Sequence, residues 1–328
     1  MRVSIFTDYT AKIGQGHLSR CAAMADYLSE QGHEVLLYVE AEDVEHVQQM
    51  AASSHYRLEF IHWKKRVNKV LSLTLGSGLS ILDSYAIGQE MVEALEMTQR
   101  QWLFVDDYHH LRYRSAWAVD WSVGAEERVP EHWKLSPRCL TGLQYAVLRR
   151  PFCEPYELPR VKTLESVLML LGGTDMRDLL PPLSRAVAQR FPHIRFTAVT
   201  PMAEFMPPSD SVRFVDVMHP QALREAMRAA DLVVCGCGQT VLELVALQRP
   251  CIPIVVVDNQ REDLEAWRKT GFVPFGHVWD EPDLKARLGD SIDYMESIPI
   301  RESIVKAMGD VQLREGAKRL FERMGVCD

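Results

Sequence analysis

The sequence predicts an α/β chain made of two open parallel sheets in tandem, each with helices on both faces. Three observations lead there. Short apolar runs rich in β-branched and aromatic residues alternate with longer amphipathic runs in both halves. A break at Arg150–Thr163, carrying Pro151, Pro155 and Pro159, interrupts the alternation. The 328 residues suffice for two cores of ordinary size. Strands that alternate with helices through short links pair in parallel, because each helix returns the chain to the end of the sheet where it started.

The elements follow in order. Val3–Thr7 reads as a buried strand, and His17–Gln31 as a helix with Leu18, Cys21, Ala22, Ala25 and Leu28 at helical spacing and Gly32 at its stop. Glu34–Val39 closes a strand–helix–strand unit. Leu79–Leu82, Trp102–Val105 and Ala118–Val123 are the further strands of the first half. After the break, strands are expected at Val167–Leu171, Arg195–Val199, Val212–Val215, Leu232–Cys235 and Ile252–Val257. Helices are expected at Leu179–Gln189, Gln221–Ala230, Thr240–Leu247 and Arg261–Thr270. The expected domains are residues 1–152 and 153–328. In open α/β sheets ligands bind beyond the carboxyl ends of the strands, so two such sheets are expected to face each other across a cleft lined by those loops.

Composition narrows the function. A formal net charge of −8 argues against a general nucleic-acid binder, which would carry a basic face. The basic run Lys64, Lys65, Arg66 and Lys69 reads as a solvated loop or as a contact for an acidic acceptor or membrane surface. Seven cysteines without a C-x-x-C pair suggest neither a disulfide frame nor a zinc site, and a reducing compartment. The first residues read as a strand, not a leader, and no apolar stretch reaches the ~18 residues that span a bilayer. A cytoplasmic protein without a transmembrane segment is expected.

Three loops carry candidate chemistry. The first runs from Asp8 to Arg20, between the first strand and first helix. Gly14 and Gly16 allow close approach of a ligand, and the helix start favours an anion. The same helix end disfavours a charged imidazole, so His17 is expected to be neutral and able to take a proton from water or a hydroxyl. The competing reading makes the glycines a turn and His17 a helix cap. The dinucleotide fingerprint is not met, because Ser19 stands at its third glycine. The second loop is Gly172-Gly173-Thr174-Asp175, whose backbone N–H groups suit a phosphate or simply a tight turn. The third is Cys235-Gly236-Cys237-Gly238-Gln239-Thr240 with Glu243. Thr240 suits an N-cap or a phosphate contact; Glu243 suits the two hydroxyls of a ribose or a capping box. Asp83-Ser84-Tyr85, Asp106-Asp107-Tyr108 and Asn259-Gln260 are weaker candidates, each also readable as a loop cap. No D-x-D triplet occurs that would offer a carboxylate site for catalytic Mg²⁺.

These motifs, in this order, carry a resemblance. Ile13-Gly14-x-Gly16-His17-x-x-Arg20, Gly172-Gly173-Thr174-Asp175 and the Gly238–Glu243 helix opening resemble the UDP-2,4-diacetamido-2,4,6-trideoxy-β-L-altropyranose hydrolases of pseudaminic acid synthesis. They resemble equally the spore-coat polysaccharide biosynthesis proteins of bacilli. More distantly the chain is similar to the lipid-II-forming N-acetylglucosaminyltransferase. Asp83-x-Tyr85, Gly142-x-x-Tyr145-x-x-Leu148-Arg149-x-x-Phe152 and Asn259-Gln260 extend the likeness over nearly the whole chain. It implies the glycosyltransferase-B architecture, two Rossmann-like domains facing across a cleft. It also implies a UDP-sugar substrate, with Gly173 and Thr174 near the phosphates and Glu243 at the ribose. His17 would be the catalytic group, with Tyr85 and Asn259 near the sugar and Gly14, Gly16, Arg20, Gly172, Gly238, Thr240 and Gln260 among the binding residues. No cofactor and no metal would be needed. The stretch Cys235–Gln239 departs from the serine-rich form of the hydrolases and shares glycine with the transferases. The expected reaction is hydrolysis at the anomeric carbon. The alternatives are metal-independent transfer from a UDP-sugar donor, or a non-catalytic nucleotide-sugar-binding subunit.

Overall fold

The computed structural model describes residues 1–10, 14–51, 55–158, 160–173 and 175–327. The chain forms two compact units: Met1–Arg150 with Leu313–Asp328, and Pro151–Gln312.

The first unit holds seven strands: β1 (Arg2–Tyr9), β2 (Glu34–Ala41), β3 (Arg57–Phe60), β4 (Leu79–Asp83), β5 (Gln101–Val105), β6 (Trp117–Asp120) and β7 (Cys139–Thr141). All pair in parallel, in the order β3-β2-β1-β4-β5-β6-β7. A parallel sheet covered on both faces selects continuous apolar runs, and every residue of β4 is buried. On one side of this sheet Phe6, Tyr38, Trp63, Trp102 and Phe104 pack into one cluster with the aliphatic residues of the Gln89–Glu96 helix. Each such side chain removed from water contributes about 1.5–3 kcal/mol. β3 and β7 were not apparent as strands. β3 is an edge strand with no apolar alternation strong enough to mark it, and β7 has three residues.

The second unit repeats the plan with β8 (Ser166–Leu170), β9 (Arg195–Val199), β10 (Val212–Val215), β11 (Leu232–Gly236), β12 (Cys251–Val255) and β13 (His277–Val278). The order is β10-β9-β8-β11-β12-β13, again parallel. In both sheets the strand order reverses beside the first strand of the unit, between β1 and β4 and between β8 and β11. At such a switch point neighbouring loops leave in opposite directions and open a crevice at the carboxyl ends.

One expectation needs correction. The C-terminal residues were placed with the second domain, but Leu313–Asp328 belongs to the first unit. The Gly316–Arg323 helix turns Leu320 and Phe321 inward, and Phe321 stacks on Tyr27 with centroids 5.7 Å apart, within the roughly 4.5–7 Å of aromatic pairs. Gln101 Nε2 donates to the Met324 carbonyl at 2.9 Å. This helix has an apolar stripe of its own, and nothing local reveals which sheet it covers. Among the described residues no helix is long and apolar enough to cross a membrane.

Candidate active site

The loop after β1 reaches the switch point of the first sheet. Gly14 has φ 79°, a conformation that L side chains rarely adopt, and its N–H donates to the Thr10 carbonyl at 3.0 Å. The helix then begins at Gly16 with Gln15 at the cap position, so His17 lies inside the first turn and is not the cap. Its ring turns back to the strand it follows: Nδ1 lies 2.9 Å from Asp8 Oδ1. With an ionised carboxylate there, the neutral imidazole carries its proton on Nδ1 and presents a lone pair at Nε2. His17 is 3% exposed, and its Nε2 has no hydrogen-bond partner among the described residues. The nearest carboxylate oxygen to Nε2 is Asp83 Oδ1, at 4.0 Å. The edge of Tyr85 packs on the imidazole at 4.4 Å between centroids.

Asp8 is itself held from several sides. Ser84 Oγ donates to its Oδ2 at 2.7 Å, and Lys64 Nζ stands 3.4 Å away. Burial opposes the charge on Asp8. The hydrogen bonds from His17 and Ser84 and the charge of Lys64 outweigh it and keep the carboxyl below its usual range. Lys64 is fixed in turn, because Glu40 lies 3.7 Å from its Nζ and accepts the Trp63 and Lys64 backbone N–H groups at 2.8 and 2.9 Å. The basic run therefore is not simply a solvated loop: its first lysine faces the buried carboxylate of the site.

Arg20, one turn beyond His17, grips two strand ends. Its Nε and Nη2 donate to the two oxygens of Asp83 at 2.5 and 2.6 Å, and Nη1 donates to Asp107 at 3.0 Å. Burial disfavours its charge, but Asp83 and Asp107 more than compensate and hold the guanidinium protonated. This forked pairing ties the helix to β4 and the loop after β5. Arg20, expected among the binding residues, is committed to carboxylates inside the unit. Tyr85 Oη donates to Asp107 at 3.4 Å; burial, then the Asp107 charge, push its phenol far above the usual value.

The second switch point gathers the glycine loops. Gly172 follows β8 with φ 94°. A Cβ on Gly236 would sit 3.5 Å from the Leu171 carbonyl carbon, so the loops after β8 and β11 run side by side. A Cβ on Gly238 would sit 3.2 Å from Gln260 Nε2, while Gln260 Oε1 accepts the Val256 N–H at 3.1 Å. Gln260 thus links the β11 loop to the β12 exit. The helix here starts at Gln239 with Gly238 at its cap, so Thr240 is not the N-cap and the Thr240–Glu243 capping box is not formed. Thr240 is half-buried, Glu243 is buried in the helix, and Asn259 is exposed at the start of the Gln260–Lys269 helix. Thr174 lies outside the described residues.

Asp175 has a different task from the one its motif suggested. Its carboxylate accepts the Leu179 and Leu180 N–H groups at 3.2 and 2.9 Å and so occupies the start of the Leu180–Arg190 helix. Burial raises its pKa despite those bonds. Two residues on, Arg177 Nε donates to the Val256 carbonyl at 2.5 Å, and its guanidinium lies over the Trp279 ring, 3.5 Å from the centroid.

The sequence reading singled out Gly14, Gly16, His17, Arg20 and Tyr85, and the structure brings these to one switch point. It brings Gly172, Gly173, Gly238 and Gln260 to the other. The pairing of Asp8 with His17, the approach of Lys64 and Ser84 to Asp8, and Arg177 are not legible in the sequence. One signal was available: β1, β4, β5 and β6 all run into aspartate, at Asp8, Asp83, Asp106-Asp107 and Asp120.

No protein-family profile matches the chain. A curated relative from Helicobacter pylori (strain ATCC 700392 / 26695), a pseudaminic acid cytidylyltransferase and UDP-2,4-diacetamido-2,4,6-trideoxy-beta-L-altropyranose hydrolase, is 19% identical over 263 residues. The match takes in 79% of this chain and 45% of that protein, so it spans less than half the relative's length. Among solved structures, the glycosyltransferase SsfS6 of Streptomyces sp. SF2575, complexed with thymidine diphosphate, superposes with a TM-score of 0.64 at 13% identity, over 98% of this chain and 99% of that one. A candidate UDP-N-acetylglucosamine 2-epimerase from Listeria monocytogenes gives 0.65 at 12% identity, over 98% and 94%. The fold is the glycosyltransferase-B architecture. At such identities the likeness concerns the fold alone, two parallel α/β units of this strand order.

Proposed function

We propose that the chain is a nucleotide-sugar hydrolase that uses water to break the bond between the anomeric carbon and the diphosphate. The observation that carries this reading is the His17–Asp8 pair: a buried imidazole anchored at Nδ1, 2.9 Å from a carboxylate, with Nε2 lacking a partner at the switch point of the sheet. Such a group suits a general base, because the anchor fixes both tautomer and direction. Nε2 takes a proton from water, the oxygen forms its bond to the anomeric carbon, and the bonding pair of the C–O link leaves with the nucleoside diphosphate. Tyr85 packs on the ring, so its side chain must yield for water to reach Nε2. The second unit takes the nucleotide at Gly172, Gly173, Gly238 and Gln260, with Thr174, Thr240, Glu243 and Asn259 as further contacts. A uridine nucleotide and a diacetamido sugar of the pseudaminic acid type, or a spore-coat sugar, are the substrates favoured by the relative and the motifs.

Transfer to a hydroxyl acceptor is the second reading, favoured by the glycosyltransferase among the similar structures. The test is nucleotide release from UDP-sugars without acceptor, in ¹⁸O-water. Hydrolysis at carbon puts the label in the sugar. Label in UDP would mean attack at phosphorus, and release only on adding an acceptor would establish transfer. His17→Asn should lower turnover about 10²–10⁴-fold with nucleotide affinity kept; wild-type turnover in a folded variant would remove His17 from the chemistry.

A further inference from the structure

A departing nucleoside diphosphate brings two or three negative charges, and something in the second unit must meet them. The usual provider is the helix that follows the first strand of such a sheet, whose open N–H groups and dipole favour an anion. Here that helix start is occupied by a carboxylate of the chain itself, since Asp175 accepts the N–H groups of Leu179 and Leu180. A phosphate placed there would face Asp175 rather than free donors.

The same loop supplies a replacement. Arg177 sits between Asp175 and Asp178, both non-glycine residues in the left-handed region, with φ 40° and 52°. Backbone of that kind persists only where its surroundings enforce it, and it tends to mark sites that position a group. The group positioned is the Arg177 guanidinium. Its Nε is bonded to the Val256 carbonyl at 2.5 Å, and its plane lies over Trp279 at 3.5 Å. Val256 is also the residue whose N–H is bonded to Gln260, the side chain beside Gly238, so the cation stands at the glycine loops of the switch point. Those two contacts consume only Nε and one face; among the described residues the terminal N–H groups make no hydrogen bond to a carboxylate, although the charge of Asp258, which is bonded to Arg261, also reaches Arg177. The neighbouring arginine is different: Arg261 is bound by both Asp258 and Asp280. A guanidinium already fixed in place loses little freedom on binding, and its planar fork matches the oxygens of a phosphate.

We infer that Arg177, clamped by Trp279 and the Val256 carbonyl, is the cation that binds the diphosphate of the nucleotide in the second unit. The inference rests on the nucleotide-sugar reading above. Trp279 acts as a positioning residue, touching Arg177 and not the phosphate.

Calorimetry with UDP and with uridine on the full chain tests this. Arg177→Ala should weaken UDP binding about 10–100-fold and leave uridine binding unchanged, because only UDP carries the charge. Arg177→Lys should recover only part of the loss, since an ammonium keeps the charge but neither the fork nor the stacking. Trp279→Leu should weaken UDP less than Arg177→Ala does, again sparing uridine. Arg177→Gln replaces Arg177→Ala if the latter does not fold. Unchanged UDP affinity in a folded Arg177 variant, or equal loss of UDP and uridine, overturns the assignment while leaving the nucleotide reading intact. A wild-type chain that binds no UDP, no thymidine diphosphate and no pyrophosphate overturns both.

Discussion

The carboxylates that end the strands of the first sheet carry opposite pKa shifts, and their neighbours explain why. Asp8 and Asp120 are buried, which opposes their charge, yet each is held below its usual range by a histidine and a serine: His17 and Ser84 for one, His109 and Ser122 for the other. Asp106 is raised by burial, which His110 and Tyr113 only partly offset. A depressed pKa stabilises the fold above the unfolded value of roughly 3.9, and that contribution disappears as pH falls through the folded value. A raised pKa works the other way: the charge costs stability at neutral pH, and the cost vanishes on acidification. Asp120→Asn should therefore lower stability at pH 7 by about 1–3 kcal/mol, a gap that narrows toward pH 3. Asp106→Asn should cost under ~0.5 kcal/mol at pH 7, since it removes an unfavourable charge and still accepts from Tyr113. Thermal melts of both variants across that pH range check the two signs. In catalysis, Asp8→Asn offers His17 an amide that can donate to Nδ1 and so favours the wrong tautomer. Turnover should fall about 10²–10⁴-fold with nucleotide affinity little changed, and the double variant with His17→Asn should be no worse than either single one, as for residues that act as a unit. Additive losses in steady-state kinetics would separate the two residues.

Among the elements, the Gly316–Arg323 helix approaches its neighbour more closely than a side chain allows. A Cβ on Gly316 would overlap the Ala146 backbone, carbonyl oxygen first. Backbone cannot step aside as a flexible side chain can, so Gly316→Ala must push the helix off its seat. The expected loss is about 1–3 kcal/mol, the usual cost of overpacking, or roughly 3–8 °C in melting temperature. Hydrogen exchange should rise in 313–327 and in the 142–148 segment, and stay unchanged in Pro151–Gln312; equal change in both units would mean that the helix does not belong to the first alone. Arg20 plays a comparable linking part between the first helix and β4, but through charge.

For the whole molecule, under the proposed reading the charge of the leaving diphosphate falls to protein groups, Arg177 above all. Among the described residues no three of His, Cys, Asp and Glu gather in a metal-binding arrangement, and the chain has no D-x-D triplet. If Arg177 and the backbone N–H groups of the glycine loops carry that charge, as proposed, turnover should persist in EDTA within about twofold. Loss with chelator, restored by Mg²⁺ or Mn²⁺, would require a metal held by the substrate's own phosphates and the strand-end carboxylates. The two units divide the task under this reading, base in one and nucleotide in the other, which makes nucleotide affinity the measurement least affected by His17 and Asp8 variants.

The sequence by itself determined most of the strands, the helices between them in the expected units, and the parallel character of the two sheets. Buried parallel strands are short apolar runs, and helices declare themselves by spacing and stops, all within ten or fifteen neighbouring residues. It also marked Gly14, Gly16, His17, Gly172 and Gly238, because loops after strands carry function and glycine stands out there. It did not show β3, β7 or β13, whose few residues have no periodicity to read. Nor did it show the pairing of charges. Asp8 lies nine residues from His17, but Ser84, Lys64 and Arg20's partners come from strand ends and the loops after them, which only the folded sheet places side by side. Tertiary structure also decided that Arg177 is clamped on Trp279 and that the last helix returns to the first unit. Each of these is a contact between distant segments, and local pattern carries no information about which distant segment a polar or apolar face will meet.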